Sequence, residues 1–271
     1  MYFSPEERRH FFAFHPCFKR DRLKRQKNNV YHVNPWPRPG IENTVYIIDI
    51  MRETNRATAR EIAQKHIEAG DPLGWFEVLY SKAGQDTPMI PWADLTVNPN
   101  LITWLDQNQP FTPCRALKVG CGLGDDAEEL ARRHFETTAF DISESAIAFC
   151  RNRYPQSPVS YAVTDLFHAP SQWKGRFDFV LESYTLQVLP PGIREEAMQQ
   201  IASFVSPGGT LLVIARGRDP NESEGKMPWP LTKDEIMLFQ TLGLKALSFE
   251  DYMDNEDPPV RRFRVTYKRE K

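Results

Sequence analysis

Cysteine is scarce in this sequence, which has four in 271 residues: Cys17, Cys114, Cys121 and Cys150. None belongs to a CxxC pair or to a spacing typical of zinc ligands, so we expect neither a metal site nor a disulfide framework. Such sparing use of cysteine suits a reducing compartment.

Long apolar runs and a dominant charge are missing as well. No segment approaches the roughly 20 apolar residues that span a bilayer, and the N-terminus has no apolar core typical of a secretory signal. The chain has 34 basic and 36 acidic residues, a formal net charge of -2. A net charge this close to zero does not by itself attract nucleic acid or an anionic membrane. We therefore expect a cytoplasmic protein whose partner is a small molecule.

The first fifty residues differ from the rest of the chain. Residues 1–50 are rich in Lys and Arg and include the proline-rich stretch Asn34–Gly40. This composition predicts a disordered extension. A basic arm and an organellar transit peptide are alternatives, although acidic residues and few serines argue against the latter. A further alternative is that translation starts at Met51.

Residues 51–113 predict a helix followed by an aromatic segment. Apolar residues recur at helical spacing from Ala57 to Ala69, and Gly70 closes the run as a C-cap would. Residues 71–113 are rich in aromatics and prolines. We interpret this segment as a lid over a neighbouring domain.

Residues 114–271 predict a doubly wound α/β domain. Short apolar runs alternate with amphipathic segments, which indicates a mostly parallel, seven-stranded sheet with helices on both faces and a C-terminal antiparallel hairpin. The expected strands are Ala116–Val119, Thr137–Asp141, Val159–Val163, Phe177–Glu182, Thr210–Ala215, Leu244–Phe249 and Arg262–Tyr267. The expected helices are Asp125–Arg133, Glu144–Arg153, Arg194–Phe204 and Lys233–Leu242. Apolar and polar residues alternate in the last strand, which predicts that one of its faces is solvated.

The most specific local signal is a glycine-rich turn between the first strand and the following helix. Gly120, Gly122 and Gly124 permit a tight turn and close approach of a ligand to the backbone. Both dinucleotides and S-adenosylmethionine use such turns. Asp125 stands where a dinucleotide fingerprint has its third glycine or alanine, and Asp125 and Asp126 would repel a pyrophosphate at the helix N-terminus. The same pair is also explained as ordinary helix-start residues.

Two further aspartates follow strands. Asp141 ends the second strand about 20 residues after the turn, where a carboxylate accepts from both ribose hydroxyls. Asp165 ends the third strand, where it can accept from the adenine amine while Leu166 packs on the ring. The alternatives are a helix cap for Asp141 and a turn residue for Asp165.

Taken in order, the motifs resemble those of class I S-adenosylmethionine-dependent methyltransferases. They cover roughly residues 100–216: Val119–Gly124, Asp141, Thr164–Leu166, Phe177–Glu182 and Ser206–Leu212. The resemblance implies a Rossmann-like fold, S-adenosylmethionine as methyl donor, and a donor site made of Gly120, Cys121, Gly122, Gly124, Asp125, Asp141, Ile142, Asp165, Leu166 and Glu182. In that family an acidic residue two before the first glycine contacts the methionine ammonium. This sequence has Lys118 there, for which Asp125, Asp126 or Glu182 would have to compensate.

The aromatic segment is similar to the entry segment of the thiopurine, thiol and halide methyltransferase group. The similarity rests on Gly74–Tyr80 and Met89–Asp94. It implies that the segment covers the donor and shapes the acceptor pocket. Ordinary packing at a domain edge is the alternative.

We therefore predict an enzyme that moves a methyl group to a sulfur, oxygen or nitrogen atom of a small molecule. In-line displacement needs alignment and exclusion of water rather than a nucleophilic triad. Candidate side chains after the fourth and fifth strands are Glu182, Tyr184, Gln187, Arg216 and Arg218, of which Glu182 and Tyr184 are the catalytic candidates. No Asn/Asp-Pro-Pro-Tyr/Phe motif points to nucleic-acid bases. The alternatives are an NAD(P)-dependent oxidoreductase and a catalytically silent S-adenosylmethionine-binding scaffold.

Overall fold

The computed structural model describes residues 42–84, 89–93, 95–108 and 114–271, with the backbone alone for residues 42–52. The predicted disordered extension falls largely on residues 1–41, which lie outside this range. The first helix begins at Glu42 rather than Ala57, so residues 42–50 are helical.

Seven α-helices occur in the described ranges, three of them before the first strand. Their bounds are α1 Glu42–Glu68, α2 Trp75–Ala83, α3 Pro99–Gln107, α4 Asp125–Arg132, α5 Glu144–Arg153, α6 Pro191–Phe204 and α7 Lys233–Met237. The aromatic segment thus contains α2 and α3. Helix α3 starts with Pro99 at N1 after Asn98, whose side chain accepts from the Asn100 N–H. Helix α7 begins with a capping box formed by Thr232 and Glu235.

The sheet has the predicted architecture. Its strands are β1 Arg115–Val119, β2 Glu136–Asp141, β3 Ser160–Val163, β4 Phe177–Ser183, β5 Val205–Arg216, β6 Leu244–Met253 and β7 Arg261–Arg269. Their order is β3-β2-β1-β4-β5-β7-β6. Strands β1 to β5 pair in parallel, while β7 is antiparallel to both β5 and β6. The prediction of a mostly parallel sheet that ends in an antiparallel hairpin is confirmed.

Alternate side chains of the central strands are buried on opposite faces of the sheet. Leu117 and Val180 belong to a cluster with α6, whereas Ala116 and Leu181 belong to a cluster with α3 and α4. Because neighbouring side chains in a strand point to opposite faces, helices cover the sheet on both sides. The central strands therefore read as continuous apolar runs.

The prediction of a solvated face on the last strand is wrong. Arg262, Arg264 and Thr266 are all buried. Strand β7 lies between β5 and β6, and α3 packs on this face: Trp104 Nε1 donates to Thr266 Oγ1 at 2.8 Å. The arginines are buried because carboxylates neutralise them, with Arg264 bonded to Glu250 at 2.6 Å. No helix in the described ranges is long and apolar enough to cross a membrane.

Candidate active site

A cavity of about 1180 Å³ opens at the carboxyl ends of β1 to β5. In parallel sheets flanked by helices, ligands bind at this edge. Fourteen residues were named from the sequence for the donor site or as candidates after the fourth and fifth strands. Eleven of these line the cavity: Gly120, Cys121, Gly122, Asp125, Asp141, Ile142, Asp165, Leu166, Tyr184, Gln187 and Arg216. Gly124, Glu182 and Arg218 are not among the lining residues. The sheet thus brings most of the predicted site together.

The glycine-rich turn needs its glycines for two different reasons. All three have positive φ, +56° at Gly120, +53° at Gly122 and +92° at Gly124, a region that side chains with a Cβ rarely adopt. A Cβ on Gly120 would also lie 2.5 Å from Thr185 Oγ1, and one on Gly124 would lie 2.6 Å from the Tyr161 hydroxyl. A Cβ on Gly122 would lie 3.1 Å from the Tyr80 hydroxyl. The turn is therefore packed closely against the aromatic segment, β3 and the turn after β4.

Asp141 joins the end of β2 to this turn. Its Oδ2 accepts from the Gly122 N–H at 2.9 Å and its Oδ1 accepts from the Ser143 N–H at 3.1 Å. Burial raises the pKa of Asp141, and the Ser143 and Gly122 N–H groups oppose that rise. A carboxylate has about four lone-pair sites, so about two remain for a ligand. The helix cap itself is Ser143, whose hydroxyl accepts from the Ala146 N–H.

The two aspartates at the start of α4 have different surroundings. Asp125 is paired with Arg153 at 2.8 Å, so its charge is satisfied by the protein. Asp126 Oδ1 accepts from the Asn98 N–H at 2.9 Å. Burial raises the pKa of Asp126, and nearby Lys118 opposes the rise. Asp126, which sequence reasoning assigned to helix capping or compensation, also lines the cavity.

Lys118 is buried and turned towards backbone oxygens. Its Nζ donates to the carbonyls of Val119 at 2.9 Å, Gly120 at 3.2 Å and Ser183 at 3.4 Å. Three N–H donors meet three acceptors, so the ammonium is fully hydrogen-bonded. Its charge lowers the pKa values of Asp126, Asp141 and Glu182 against the effect of burial. Lys118 is thus the cation shared by three acids that lie in or behind the cavity wall.

Glu182 lies behind the cavity wall rather than in it. It is fully buried, and its Oε1 accepts from the N–H groups of Thr185 at 2.8 Å and Leu186 at 2.9 Å. Its Oε2 has no hydrogen-bond partner among the described residues. Burial raises the pKa of Glu182 to about 7, although the N–H of Leu186 and the charge of Lys118 oppose the shift. The carboxylate shapes the turn after β4.

Asp165 and Leu166 stand at the end of β3. Asp165 Oδ1 accepts from the Phe167 N–H at 2.9 Å, and Oδ2 lies 2.6 Å from His168 Nδ1. Asp165 thereby begins a short 3-10 turn, the turn role considered from the sequence, while it also lines the cavity. Leu166 is buried beside it and contributes an apolar wall.

Tyr184 lines the cavity directly after β4. It has a φ of +68°, a strained value for an aromatic residue that often marks a functional position. Its hydroxyl accepts from Asn100 Nδ2 at 3.2 Å, and the Arg262 guanidinium lies 4.6 Å from its ring centroid. Burial raises the pKa of Tyr184, whereas Arg262 opposes the rise. The phenol therefore keeps its proton at neutral pH.

Sequence reasoning missed Asn98 and Asn100, which link α3 to the strand ends. Asn98 Nδ2 donates to Ser183 Oγ at 2.9 Å, and Asn100 Oδ1 accepts from the Tyr252 hydroxyl at 2.6 Å. Both asparagines line the cavity. The available signal was Asn98-Pro99, a helix cap followed by proline at N1. This motif predicts the start of a helix but does not show which residues the two asparagines contact.

The aromatic segment packs against the turn. Trp92 Nε1 donates to the Tyr80 hydroxyl at 2.9 Å, and Trp92 packs edge-on against Trp75 at a centroid distance of 5.9 Å. Glu77 on α2 anchors this layer to the start of α5, since its carboxylate accepts from both Ser143 Oγ and Ser145 Oγ at 2.6 Å. Tyr80 and Trp92 line the cavity.

Comparison with known proteins agrees with this geometry. Residues 116–209 match the family described as a methyltransferase domain. The chain is 25% identical over 183 residues to a thiopurine S-methyltransferase of Vibrio atlanticus, which covers 61% of this chain and 82% of that protein. It is 31% identical over 124 residues to an uncharacterised methyltransferase of Mycobacterium tuberculosis, which covers 46% of this chain and 60% of that one.

Solved structures share the fold. The 1,6-didemethyltoxoflavin-N1-methyltransferase of Burkholderia thailandensis superposes with a TM-score of 0.58 at 15% identity, over 72% of this chain and 88% of that chain. The N-methyltransferase NodS of Bradyrhizobium japonicum gives a TM-score of 0.57 at 19% identity, over 72% of this chain and 97% of that chain. Both structures contain S-adenosylhomocysteine. The predicted resemblance is confirmed: the comparisons support a class I methyltransferase that uses S-adenosylmethionine as co-substrate.

Proposed function

We propose that this enzyme moves the methyl group of S-adenosylmethionine to a sulfur, oxygen or nitrogen atom of a small molecule by in-line displacement. The observation that carries the proposal is one continuous cavity. It extends from the glycine-rich turn to the ends of β4 and β5, where Tyr184, Gln187 and Arg216 stand. Donor and acceptor can therefore meet in a site from which the aromatic segment helps to exclude water.

The donor half fits a nucleoside. Gly120 and Gly122 line it, and their positive φ angles place the bare backbone of the turn along the cavity wall. We assign the ribose hydroxyls to the free lone pairs of Asp141, and the adenine to Asp165 and Leu166, with Ile142 and Cys121 completing the wall. When bound, the donor supplies a methyl group already activated by a positively charged sulfur.

The amino-acid end of the donor lies, in this proposal, between Lys118 and Asp126. The ammonium of Lys118 is held by carbonyl groups, and its charge favours a carboxylate nearby. Asp126 is half-buried, lines the cavity and has lone pairs beyond the one used by Asn98. We therefore assign Asp126 to the donor's ammonium, in place of the acidic residue that Lys118 replaces.

On the acceptor side, Tyr184 positions the acceptor molecule and does not remove a proton from it. Its raised pKa keeps the phenol protonated at neutral pH, so it donates a hydrogen bond to the acceptor. An acceptor that ionises by itself needs no general base. We favour a thiol, because the Vibrio atlanticus relative is named a thiopurine S-methyltransferase. The free thiols of Cys114, Cys121 and Cys150 support a reducing, cytoplasmic setting.

Calorimetric titration and methyl transfer test the proposal. Purified protein should bind S-adenosylhomocysteine and ignore NADH. Radiolabelled S-adenosylmethionine should then label at least one acceptor in a panel of thiols, phenols and amines. Binding of NADH without binding of S-adenosylhomocysteine would contradict the proposal.

A second candidate function is a catalytically silent scaffold that binds S-adenosylmethionine. Lys118 favours it, because its ammonium already occupies three carbonyl acceptors at the mouth of the turn. Tight binding of S-adenosylhomocysteine without turnover of any acceptor in the panel would support the scaffold.

A further inference from the structure

Arg216, the last residue of β5, is an unsatisfied cation in the wall of the cavity. Its guanidinium makes no hydrogen bond or ion pair with any residue that the structure describes, and its Nε is fully buried without a partner. The other arginines in the wall differ. Arg262 is bonded to Asp254 at 2.6 Å, Arg264 to Glu250 at 2.6 Å and Arg60 to Glu53 at 2.9 Å.

The surroundings of Arg216 disfavour its charge in the absence of an anion. Burial lowers its pKa, and the nearby cations Arg262 and Arg56 lower it further. Glu256 and Tyr184 act in the opposite direction, but Glu256 is already hydrogen-bonded to Arg262. A partly buried guanidinium without a counter-ion is costly, whereas an oxyanion that meets its planar donors would relieve that cost.

The protein holds Arg216 firmly beside an apolar wall. Its N–H donates to Gln187 Oε1 at 2.7 Å, and its carbonyl accepts from the Leu231 N–H at 2.9 Å. Gln187 in turn accepts from the Trp229 N–H at 2.7 Å. The next residue, Val188, packs with Met227 in an apolar cluster that borders the same cavity. A fixed cation thus stands next to apolar surface.

We propose that the methyl acceptor is an apolar acid whose carboxylate pairs with Arg216 while its hydrocarbon part packs on Val188 and Met227. The inference rests on the proposed function and narrows its substrate class. A carboxylate matches the fork of a guanidinium with two parallel hydrogen bonds, which gives orientation as well as affinity. Arg216 would then fix the position of the acceptor molecule relative to the methyl group of the donor.

Isothermal titration of the S-adenosylhomocysteine complex with a matched pair of probes tests the inference. Phenylacetate and phenylacetamide have nearly the same shape and differ in charge. Phenylacetate should bind the wild type about 10- to 100-fold more tightly, as a charge-assisted hydrogen bond allows. Arg216→Gln should abolish this preference, and Arg216→Lys should restore part of it. Arg176→Gln, at an exposed position outside the cavity, is the matched control and should retain the preference.

Different results of this experiment would contradict different parts of the inference. Equal binding of the two probes to the wild type would overturn the inference, and so would a preference that survives in Arg216→Gln. Phenyl phosphate binding more tightly than phenylacetate would overturn the assignment to a carboxylate. A loss of S-adenosylhomocysteine affinity in Arg216→Gln equal to its loss of phenylacetate affinity would assign Arg216 to the donor instead. Failure of S-adenosylhomocysteine to bind the wild type would overturn the proposed function, whichever probe binds.

Discussion

Asp141 illustrates how one side chain serves both the turn and the proposed ligand. Its carboxylate accepts from Gly122 and Ser143 while it faces the cavity. Asp141→Ala should weaken S-adenosylhomocysteine binding by about 1–3 kcal/mol, because the ribose hydroxyls lose their acceptor. Titration calorimetry measures this, with exposed Asp234→Ala as the control. Unchanged affinity in folded Asp141→Ala protein would remove Asp141 from the proposed site.

For Glu182 we predict an effect on stability rather than on binding, because its carboxylate is buried away from the cavity. Its pKa is raised from 4.5 to about 7, so the folded protein binds the proton more tightly than the unfolded chain. The free energy of unfolding should therefore fall as the pH rises from about 4.5 to about 7, by of the order of 3 kcal/mol from this group.

Glu182→Gln should remove that part of the pH dependence. The amide oxygen of Gln can still accept from the N–H groups of Thr185 and Leu186, but it does not ionise. Urea unfolding at pH 5 and pH 8 measures the difference in both proteins. If the variant lost as much stability as the wild type over this range, the raised pKa would belong to another group.

At the scale of secondary-structure elements, the turn between β1 and α4 depends on its contact with the turn after β4. Gly120→Ala would place a Cβ 2.5 Å from Thr185 Oγ1 at a φ of +56°. The change should destabilise the fold by about 1–2 kcal/mol from backbone strain alone and weaken S-adenosylhomocysteine binding.

Gly192→Ala is the matched control for this turn. It makes the same chemical change in the first turn of α6, where nothing lies within 4 Å of the added Cβ. It should be neutral or stabilise by up to about 1 kcal/mol, because alanine favours helix. Thermal unfolding with and without S-adenosylhomocysteine compares the two. Equal effects of both substitutions would show that the close contact at Gly120 is unimportant.

At the scale of the whole molecule, Glu77 joins the N-terminal aromatic layer to the catalytic sheet. Burial alone would raise its pKa, but hydrogen bonds from Ser143 and Ser145 outweigh that effect and lower it. The hydrogen bonds to ionised Glu77 therefore stabilise the fold fully above the pKa of about 4.5 that Glu77 has in the unfolded chain. This stabilisation is lost as the pH falls through the lower pKa of Glu77 in the folded protein.

Glu77→Ala should cost about 1–3 kcal/mol of stability at pH 7 and weaken S-adenosylhomocysteine binding, because Tyr80 and Trp92 on the same layer line the cavity. Unfolding and titration measurements on Glu77→Ala and on exposed Glu196→Ala in α6 provide the comparison. Loss of stability with full donor affinity would show that this layer supports the fold without covering the donor.

The order of elements and most of the proposed donor half of the cavity could be predicted from the sequence, because both depend on local patterns. Apolar runs of strand length, the glycine turn between strand and helix, and an aspartate at the end of β2 are all readable along the chain. Parallel strands then bring their carboxyl ends to one edge without further information. For the same reason, eleven of the fourteen residues named for the donor site or as candidates after β4 and β5 line one cavity.

Only the tertiary structure decided what those side chains contact. The sequence does not reveal that Glu182 points behind the wall, that Asp125 pairs with Arg153, or that Lys118 is surrounded by carbonyl groups. Nor does the alternation in β7 reveal that α3 covers its polar face. These outcomes depend on contacts between distant segments, in which a polar residue is buried wherever a partner compensates its charge. Arg216 is the described cavity residue that folding left without such a partner, which is why the structure, and not the sequence, points to an acidic acceptor.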